Sequence, residues 1–295
     1  WVTVRDTMVL LLIAIGLTPA FKMKFWNIGA EGQILVGGAA TAALMIYAGD
    51  SMPTPVLMIL MFVASLAAGM IWGIIPAIFK AYFNTNETLF TLMLNYVAMQ
   101  IVTFCIVYWE NPAGSNTVGI INSATRAGWL PALGGLTYGW NVLIVLAFTF
   151  GMYIYMKYSK QGYEVAVVGE SQDTARYARI NVKRTIIRTM GISGGICGIA
   201  GFLLVSGASH TISTSTAGGR GFTAIIVAWL SKFNAFVMIL VSFFLVFMEK
   251  GAIQIASQFN LNENASDVIT GIILFFILGS EFFIRYRIAF TKAHK

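Results

Sequence analysis

The sequence predicts an all-α fold, a polytopic bundle of transmembrane helices, and three observations lead to this fold class. The 295 residues are 58% hydrophobic and only 11% charged, whereas a soluble domain carries about 25% charged residues. The mean hydropathy is +0.77. The apolar residues fall in blocks near the ~20 residues with which an α-helix crosses the hydrocarbon of a bilayer. The composition therefore excludes a soluble globular domain, a disordered chain and a fibre.

Apolar runs between polar breaks predict about nine helical segments within a single transmembrane domain over residues 1–295. These segments are 8–21, 28–48, 56–79, 88–109, 139–157, 186–208, 219–231, 234–249 and 266–284. Two of them, 8–21 and 219–231, are well below the usual ~20 residues, so we interpret each as re-entrant or broken. The chain opens at Trp1 without a signal peptide, and we expect its true N-terminus to be missing.

The basic residues set the predicted orientation. If the helices alternate and Lys22 is cytoplasmic, fifteen basic residues fall on the cytoplasmic side and four outside, the asymmetry of the positive-inside rule. The cytoplasmic set is Lys22, Lys24, Lys80, Lys157, Lys160, Arg176, Arg179, Lys183, Arg184, Arg188, Lys232, Arg285, Arg287, Lys292 and Lys295; the external set is Arg5, Arg126, Arg220 and Lys250.

Two connections are long enough to hold structure. The external loop 110–138 contains tryptophan, proline and glycine, a composition typical of an interfacial loop that meets an external partner. The cytoplasmic loop 158–187 is the one sizeable hydrophilic stretch. Within it, residues 171–178 predict a short helix, because Ser171 can cap its start while Asp173 and Arg176 suit its dipole.

The sequence contains no evident catalytic or metal-binding motif. It has no phosphate-binding loop for ATP, and its two cysteines, Cys105 and Cys197, lie in apolar runs, where we expect small core residues. The glycines between 191 and 201 predict close helix packing. An intramembrane hydrolase using Ser209 and His210 is disfavoured, since adjacent helical residues do not face one another. We interpret His210 as a polar helix end or a contact on a solute path.

Two polar clusters inside apolar runs are candidates for a solute path, because polar groups in hydrocarbon mark function. The first spans Asn27 to Gln33, where Asn27 and Glu31 are four residues apart and share a helix face. We predict that Asn27, Glu31 and Gln33 line the path. The alternative is a structural helix start in which Glu31 pairs with Lys22 or Lys24.

The second cluster is a stripe of Glu87, Thr91 and Asn95, spaced four residues apart along one helix face. A polar stripe that continues from the helix end into the membrane predicts a water-filled cavity. The alternative is that Asn84 and Glu87 form a capping box and serve only the helix end. Asn95 is the stronger candidate for the solute path, because it lies too far from the start of its own helix to cap it.

Three segments, Asn27 to Gln33, Asn86 to Asn95 and Val168 to Val182, resemble the permease subunits of ribose/nucleoside-type ABC importers, in order along nearly the whole chain. The resemblance is closest to the nucleoside branch, which depends on basic membrane proteins. Two features depart from the family pattern: its first helix is absent before Trp1, and Arg179 stands where a small residue is usual.

The resemblance implies a set of partners and roles. The partners would be a second, often non-identical permease, cytoplasmic ABC ATPase subunits that bind ATP and Mg, an external substrate-binding protein or lipoprotein, and membrane lipid, with no nucleic acid and no cofactor in this chain. The coupling helix that meets the ATPase would lie around Gly169 to Asn181. Its candidate residues are Gly169, Glu170, Ser171, Asp173, Ala175, Arg176, Tyr177, Ala178, Ile180 and Asn181.

The expected function is that of a permease subunit in a bacterial plasma membrane, without ATPase activity of its own, working by alternating access. Nucleosides are the expected solute, and simple sugars such as ribose are the alternative, because a path of neutral amides and hydroxyls suits both. An ion-coupled secondary transporter is a further alternative. It would need acidic residues at mid-span, whereas Glu31, Glu87 and Glu281 lie near predicted span ends.

Overall fold

The computed structural model describes residues 1–259 together with 268–269, 271–272, 275–276 and 279–280. The described residues form an all-α bundle, which confirms the predicted fold class. Its helices are α1 (Val2–Lys22), α2 (Ala30–Ala48), α3 (Thr54–Phe83), α4 (Glu87–Trp109), α5 (Gly139–Tyr158), α6 (Lys160–Glu170), α7 (Gln172–Tyr177), α8 (Val182–Leu204), α9 (Arg220–Leu230) and α10 (Ala235–Gln258). A π-helical turn, Val205–Ser209, extends α8.

The chain divides into two compact units, Trp1–Ser242 and Phe243–Lys295. The first unit contains α1 to α9 and the start of α10. The described part of the second unit is the remainder of α10 and four helical residue pairs. The predicted helix 266–284 lies, apart from those pairs, outside the described residues. The prediction of one transmembrane domain over 1–295 stays a prediction.

Six of the described helices are long and apolar enough to span a membrane: α1, α3, α4, α5, α8 with its π-helical turn, and α10. The prediction that segment 8–21 is short or broken was wrong. The helix begins at Val2 and runs for 21 residues, because Arg5 and Asp6 neutralise each other at 2.8 Å and can enter the bundle together. Segment 219–231 is short, as α9 has 11 residues.

The centre of the bundle is α8, which is packed through glycine. A Cβ at Gly198 would collide with the backbone of Ser65 and Gly69 on α3, and one at Gly194 would collide with Gly69. On the α2 side, Gly37 lies against Gly198 in the same way. This close approach confirms the predicted role of the glycines, since small residues let helix backbones come together.

The basic residues gather at one end of the first unit, which we call the basic end. Lys22, Lys157 and Lys232 line one cavity there, and Lys80, Arg176 and Lys183 line another. Arg5 and Arg220 share a third cavity with the hydroxyl groups of the loop that follows α8. This distribution agrees with the predicted orientation, in which the basic end is cytoplasmic.

The hydrophilic loop at the basic end holds two helices, α6 and α7, where the sequence predicted one. The predicted helix 171–178 is α7, and its predicted cap is confirmed, since the Ser171 hydroxyl accepts a hydrogen bond from Thr174 N at 3.3 Å. The Asp173 carboxylate pairs with Arg176 at 2.9 Å. The preceding helix α6 was missed because its apolar run, residues 165–168, is only four residues long and lies between Glu164 and Gly169.

Candidate functional site

Two interruptions of helical structure meet inside the bundle. The first is the segment 23–29 between α1 and α2, and the second is the segment 210–219 that leads from α8 to the short helix α9. Lys24, Gly218 and Gly219 all have positive φ values, so the chain reverses sharply at these points. In membrane proteins, irregular backbone at depth is tolerated where it is buried in protein or lines a cavity.

Asn27 is the centre of the first interruption and is fully buried. Its side-chain Oδ1 accepts hydrogen bonds from Gly29 N at 3.0 Å and from Gln33 Nε2 at 3.3 Å. Its Nδ2 donates to Ser193 Oγ on α8 at 3.3 Å. Ser193 is five residues past Arg188 along α8, or about 7–8 Å deeper. Asn27 therefore holds irregular backbone below the level of the last basic residue of α8.

Glu31 joins the two interruptions. Its carboxylate Oε1 accepts a hydrogen bond from Gly221 N at 2.7 Å, at the first turn of α9. A carboxylate at a helix N-terminus satisfies free N–H groups and complements the helix dipole. A side chain at Gly221 would collide with the backbone of Glu31, so glycine is required for this approach. The alternative pairing of Glu31 with Lys22 or Lys24 was wrong.

Thr91 and Asn95 reach the same place from α4. Asn95 Oδ1 accepts from Gly32 N at 2.9 Å and its Nδ2 donates to Ile28 O at 2.9 Å. Thr91 Oγ1 accepts from Ile28 N at 3.2 Å. Although Asn95 cannot cap its own helix, it supplies hydrogen bonds at the start of α2. We call the assembly of Asn27, Glu31, Gln33, Thr91, Asn95, Ser193 and Gly221 the junction.

Glu87 and His210 lie apart from the junction. Glu87 pairs with Lys80 at 2.8 Å across the turn between α3 and α4. The predicted capping box was wrong, because Asn86 is the residue that caps α4, through Thr88 N and Leu89 N. Asn84 instead ends α3 in the left-handed conformation. The polar stripe on α4 thus divides between a partly buried ion pair and the junction.

His210 follows the π-helical turn at the opposite end of α8. Its ring stacks on Trp129 with centroids 3.8 Å apart and planes 6° from parallel, and its carbonyl accepts from Ile121 N at 2.8 Å. The external loop also donates from Asn122 Nδ2 to Met45 O at the end of α2, at 2.7 Å. His210 therefore helps to fix the loop 110–138 over this end of the bundle.

An aromatic cluster lies where α1 and α9 end, toward the basic end of the bundle. Trp26 and Trp229 stack with ring centroids 5.5 Å apart, and Phe21 packs edge-on against both. Trp26 remains 45% exposed and Trp229 38%. Trp26, Trp229, Ser193 and Gly221 were not among the predicted site residues. The signal for Gly221 was the Gly218-Gly219-Arg220-Gly221 run at the start of a segment too short to span.

The predicted coupling segment packs onto the chain that leads to the junction. Val165 and Val168 of α6 and Ala175 of α7 share a buried apolar cluster with Met23 and Phe25, which directly precede Trp26 and Asn27. Gly169 lies so close to the Lys22 carbonyl that a Cβ would collide with it. Tyr177 points the other way and is 91% exposed. Displacement of α6 and α7 would therefore reach the segment 23–29 directly.

The remaining predicted coupling residues have distinct local positions. Glu170 ends α6, and Ala178 and Ile180 form the turn after α7, where Ala178 N donates to Thr174 O at 3.0 Å and Ile180 N to Ala175 O at 2.9 Å. Asn181 caps α8 by accepting from Arg184 N at 3.0 Å. The whole set thus lies on one continuous segment of the chain at the basic end.

A helix bundle with two interrupted helices meeting in its interior is an architecture of membrane transport proteins. A family model described as branched-chain amino acid transport system / permease component matches residues 3–278. The chain belongs to this permease family. The chain is a permease subunit of an ABC importer and a multi-pass protein of the plasma membrane, which confirms the predicted class.

Relatives with named transport roles align along most of this chain. The guanosine ABC transporter permease protein NupP of Bacillus subtilis is 29% identical over 94% of this chain and 80% of its own length. The nucleoside permease protein NupB of Lactococcus lactis is 26% identical, over 97% and 80%. The glucose permease protein TsgB13 of Haloferax volcanii is 28% identical, over 95% and 76%. No solved structure gives a significant match.

The double hydrogen bond of Asn95 generates a first prediction. Replacing Asn95 with leucine leaves Gly32 N and Ile28 O without these partners, and a buried unpaired backbone group costs about 1–3 kcal/mol. We expect Asn95→Leu to lower the thermal unfolding midpoint of the purified protein and to reduce uptake. The matched control is Thr103→Val, which removes an exposed hydroxyl on α4 that bonds its own helix. Equal midpoints for the two variants would contradict this prediction.

His210 generates a second prediction, about pH. Burial lowers the pKa of His210 below its ordinary value of 6.5, so the folded protein binds fewer protons here than the unfolded chain. The contribution of His210 to the free energy of unfolding is fully present above the pKa of the unfolded-state histidine. This contribution declines as the pH falls through that pKa. We expect the unfolding midpoint to drop more between pH 7.5 and pH 5.0 in the wild type than in His210→Asn, which does not titrate and tolerates the left-handed backbone. Parallel pH profiles would refute the assignment.

Proposed function

We propose that the chain is one half of the translocation path of an ATP-driven importer for nucleosides. The junction supports this proposal more than any other feature: the buried amide and hydroxyl groups of Asn27, Gln33 and Ser193 hold the segment next to the partly exposed rings of Trp26 and Trp229. A nucleoside combines a flat ring with several donors and acceptors, and such groups match a stacking surface next to amides. The guanosine and nucleoside permeases among the relatives support the same solute class.

The junction, which includes Thr91 and Asn95, is the proposed path site. Several of its donors and acceptors are already engaged in holding the two interruptions together. We therefore propose that solute passes along the face where Trp26 and Trp229 are exposed, and that the amides behind this face keep it in shape. Weak contacts of this kind allow release, since tight binding on the path would slow transport.

Energy would come from partner subunits. Cytoplasmic ATPase subunits would bind ATP and Mg and dock on α7, a second and non-identical permease would complete the path, and an external binding protein or lipoprotein would deliver the solute. The buried cluster of Val165, Val168 and Ala175 with Met23 and Phe25 supports this role for α6 and α7, because closure of the ATPase pair would move the segment 23–29 and hence the junction.

A simple-sugar importer is the second candidate, supported by the relative named as a glucose permease. Sugars also stack on tryptophan and bond to amides. The two candidates differ in which unlabelled solutes should compete with labelled solute for uptake, and this competition can be measured directly.

The solute proposal is tested by uptake into proteoliposomes that contain the chain with its partner permease, ATPase and binding protein. We expect ATP-dependent uptake of labelled guanosine or adenosine that unlabelled nucleosides suppress and glucose or ribose does not. Suppression by glucose alone would favour the sugar candidate. Uptake that continues without ATP and follows an ion gradient would refute the ATP-driven mechanism.

The coupling proposal is tested by Tyr177→Ala. Because Tyr177 is 91% exposed in this chain, its removal should leave the fold intact, yet an aromatic anchor at an interface contributes about 2 kcal/mol. We expect weaker retention of the ATPase and slower uptake with an unchanged unfolding midpoint. The control is Tyr158→Ala, an exposed tyrosine at the end of α5. Normal uptake by Tyr177→Ala would remove α7 from the docking surface.

A further inference from the structure

A cavity of about 530 Å³ opens at the basic end of the bundle, away from the junction. Its walls come from the last turns of α1, the last turns of α5 and the turn between α9 and α10. These three elements are distant in sequence. The cavity is therefore a product of the fold, and what binds in it would touch all three at once.

Three lysines surround this cavity: Lys22 at the end of α1, Lys157 on α5 and Lys232 in the turn after α9. No aspartate or glutamate of the part of the chain that the structure describes lines it. Among the described residues, none of the ion pairs within 4.0 Å involves any of the three. Lys157 is held in place by Tyr153, whose hydroxyl lies 3.0 Å from Nζ. Converging ammonium groups without a carboxylate attract an anion.

The other walls of the cavity are apolar below the lysines. Ile15, Met152, Met156 and Phe233 line it, and Met152 also lines a second, almost wholly apolar groove between α5 and α8. That groove runs along α5 from Ala147 to Tyr155, a length of about 12 Å at the helical rise. Thus a cationic rim at the predicted cytoplasmic interface shares Met152 with an apolar groove that leads toward the bilayer interior.

We propose that this cavity binds an anionic glycerophospholipid of the cytoplasmic leaflet. The phosphate would lie among Lys22, Lys157 and Lys232, with the side-chain amide of Asn234 available to its oxygens, and an acyl chain would follow the apolar walls. Basic pockets between helices on the cytoplasmic side are known to suit such headgroups. A soluble anion would gain nothing from Ile15, Met152 and Phe233, which is why the lipid is favoured over free phosphate.

The position of the cavity implies that lipid binding affects the stability of the protein. Lys22 is the last residue of α1, just before the first interruption, and Lys232 directly follows the last turns of α9. A headgroup held by both lysines would tie together the ends of the two helices that flank the junction. Binding of the lipid should therefore stabilise the folded protein.

The test compares thermal unfolding of the purified chain with phosphatidylglycerol or phosphatidylcholine added in detergent, and counts bound lipid by native mass spectrometry. We expect phosphatidylglycerol to raise the unfolding midpoint of the wild type. The triple variant Lys22→Gln, Lys157→Gln and Lys232→Gln should bind it about a hundredfold more weakly. The triple variant in which the same three lysines are replaced by arginine should retain binding. Retained binding would show that the fold tolerates substitution at these positions.

The matched control carries Lys24→Gln, Lys160→Gln and Lys183→Gln, which remove the same charge from exposed positions outside the cavity. The control should bind phosphatidylglycerol as the wild type does. An equal loss of binding in the control would overturn the proposal in favour of general charge attraction. Stabilisation by inorganic phosphate equal to that by the lipid would overturn it in favour of a free-anion site.

Discussion

The hydrogen bonds that satisfy irregular backbone within the bundle are the constraint on which the rest of this structure depends. Hydrocarbon offers no water to an exposed N–H or C=O, so a broken helix must find its partners in protein. Here Asn27, Asn95 and Glu31 supply them, each from a different element and each to a backbone group at an interruption. Without these side chains, α2 and α9 could not begin where they do.

The central position of α8 follows from the same constraint. Glycines 194 and 198 bring α3 and α2 into backbone contact with α8, and Ser193 lies beside them facing Asn27. A rigid, closely packed helix thus provides a fixed wall for the junction. On the other side, the segment 23–29 rests on α6 and α7 through Met23 and Phe25, so the proposed coupling helices meet the junction opposite that wall.

Much of the architecture could be predicted from sequence, because span length and charge distribution are local properties. The long helices α3, α4, α5 and α8 lie close to their predicted bounds. The polar candidates were also identified, since amides inside apolar runs are conspicuous. What could not be predicted was which of them meet: the contact between Glu31 and Gly221 joins residues 190 positions apart, and spacing along the chain carries no information about it.

The errors have physical causes as well. Segment 8–21 was judged too short because charges at Arg5 and Asp6 interrupt its apolar pattern, yet an ion pair enters a bundle at lower cost than a single charge. The same pair lies near Arg220, whose guanidinium is 4.0 Å from Asp6. These charges compensate one another within one cluster. Arg220 directly precedes Gly221, whose N–H donates to Glu31, so the charged cluster and the junction are joined through the first turn of α9.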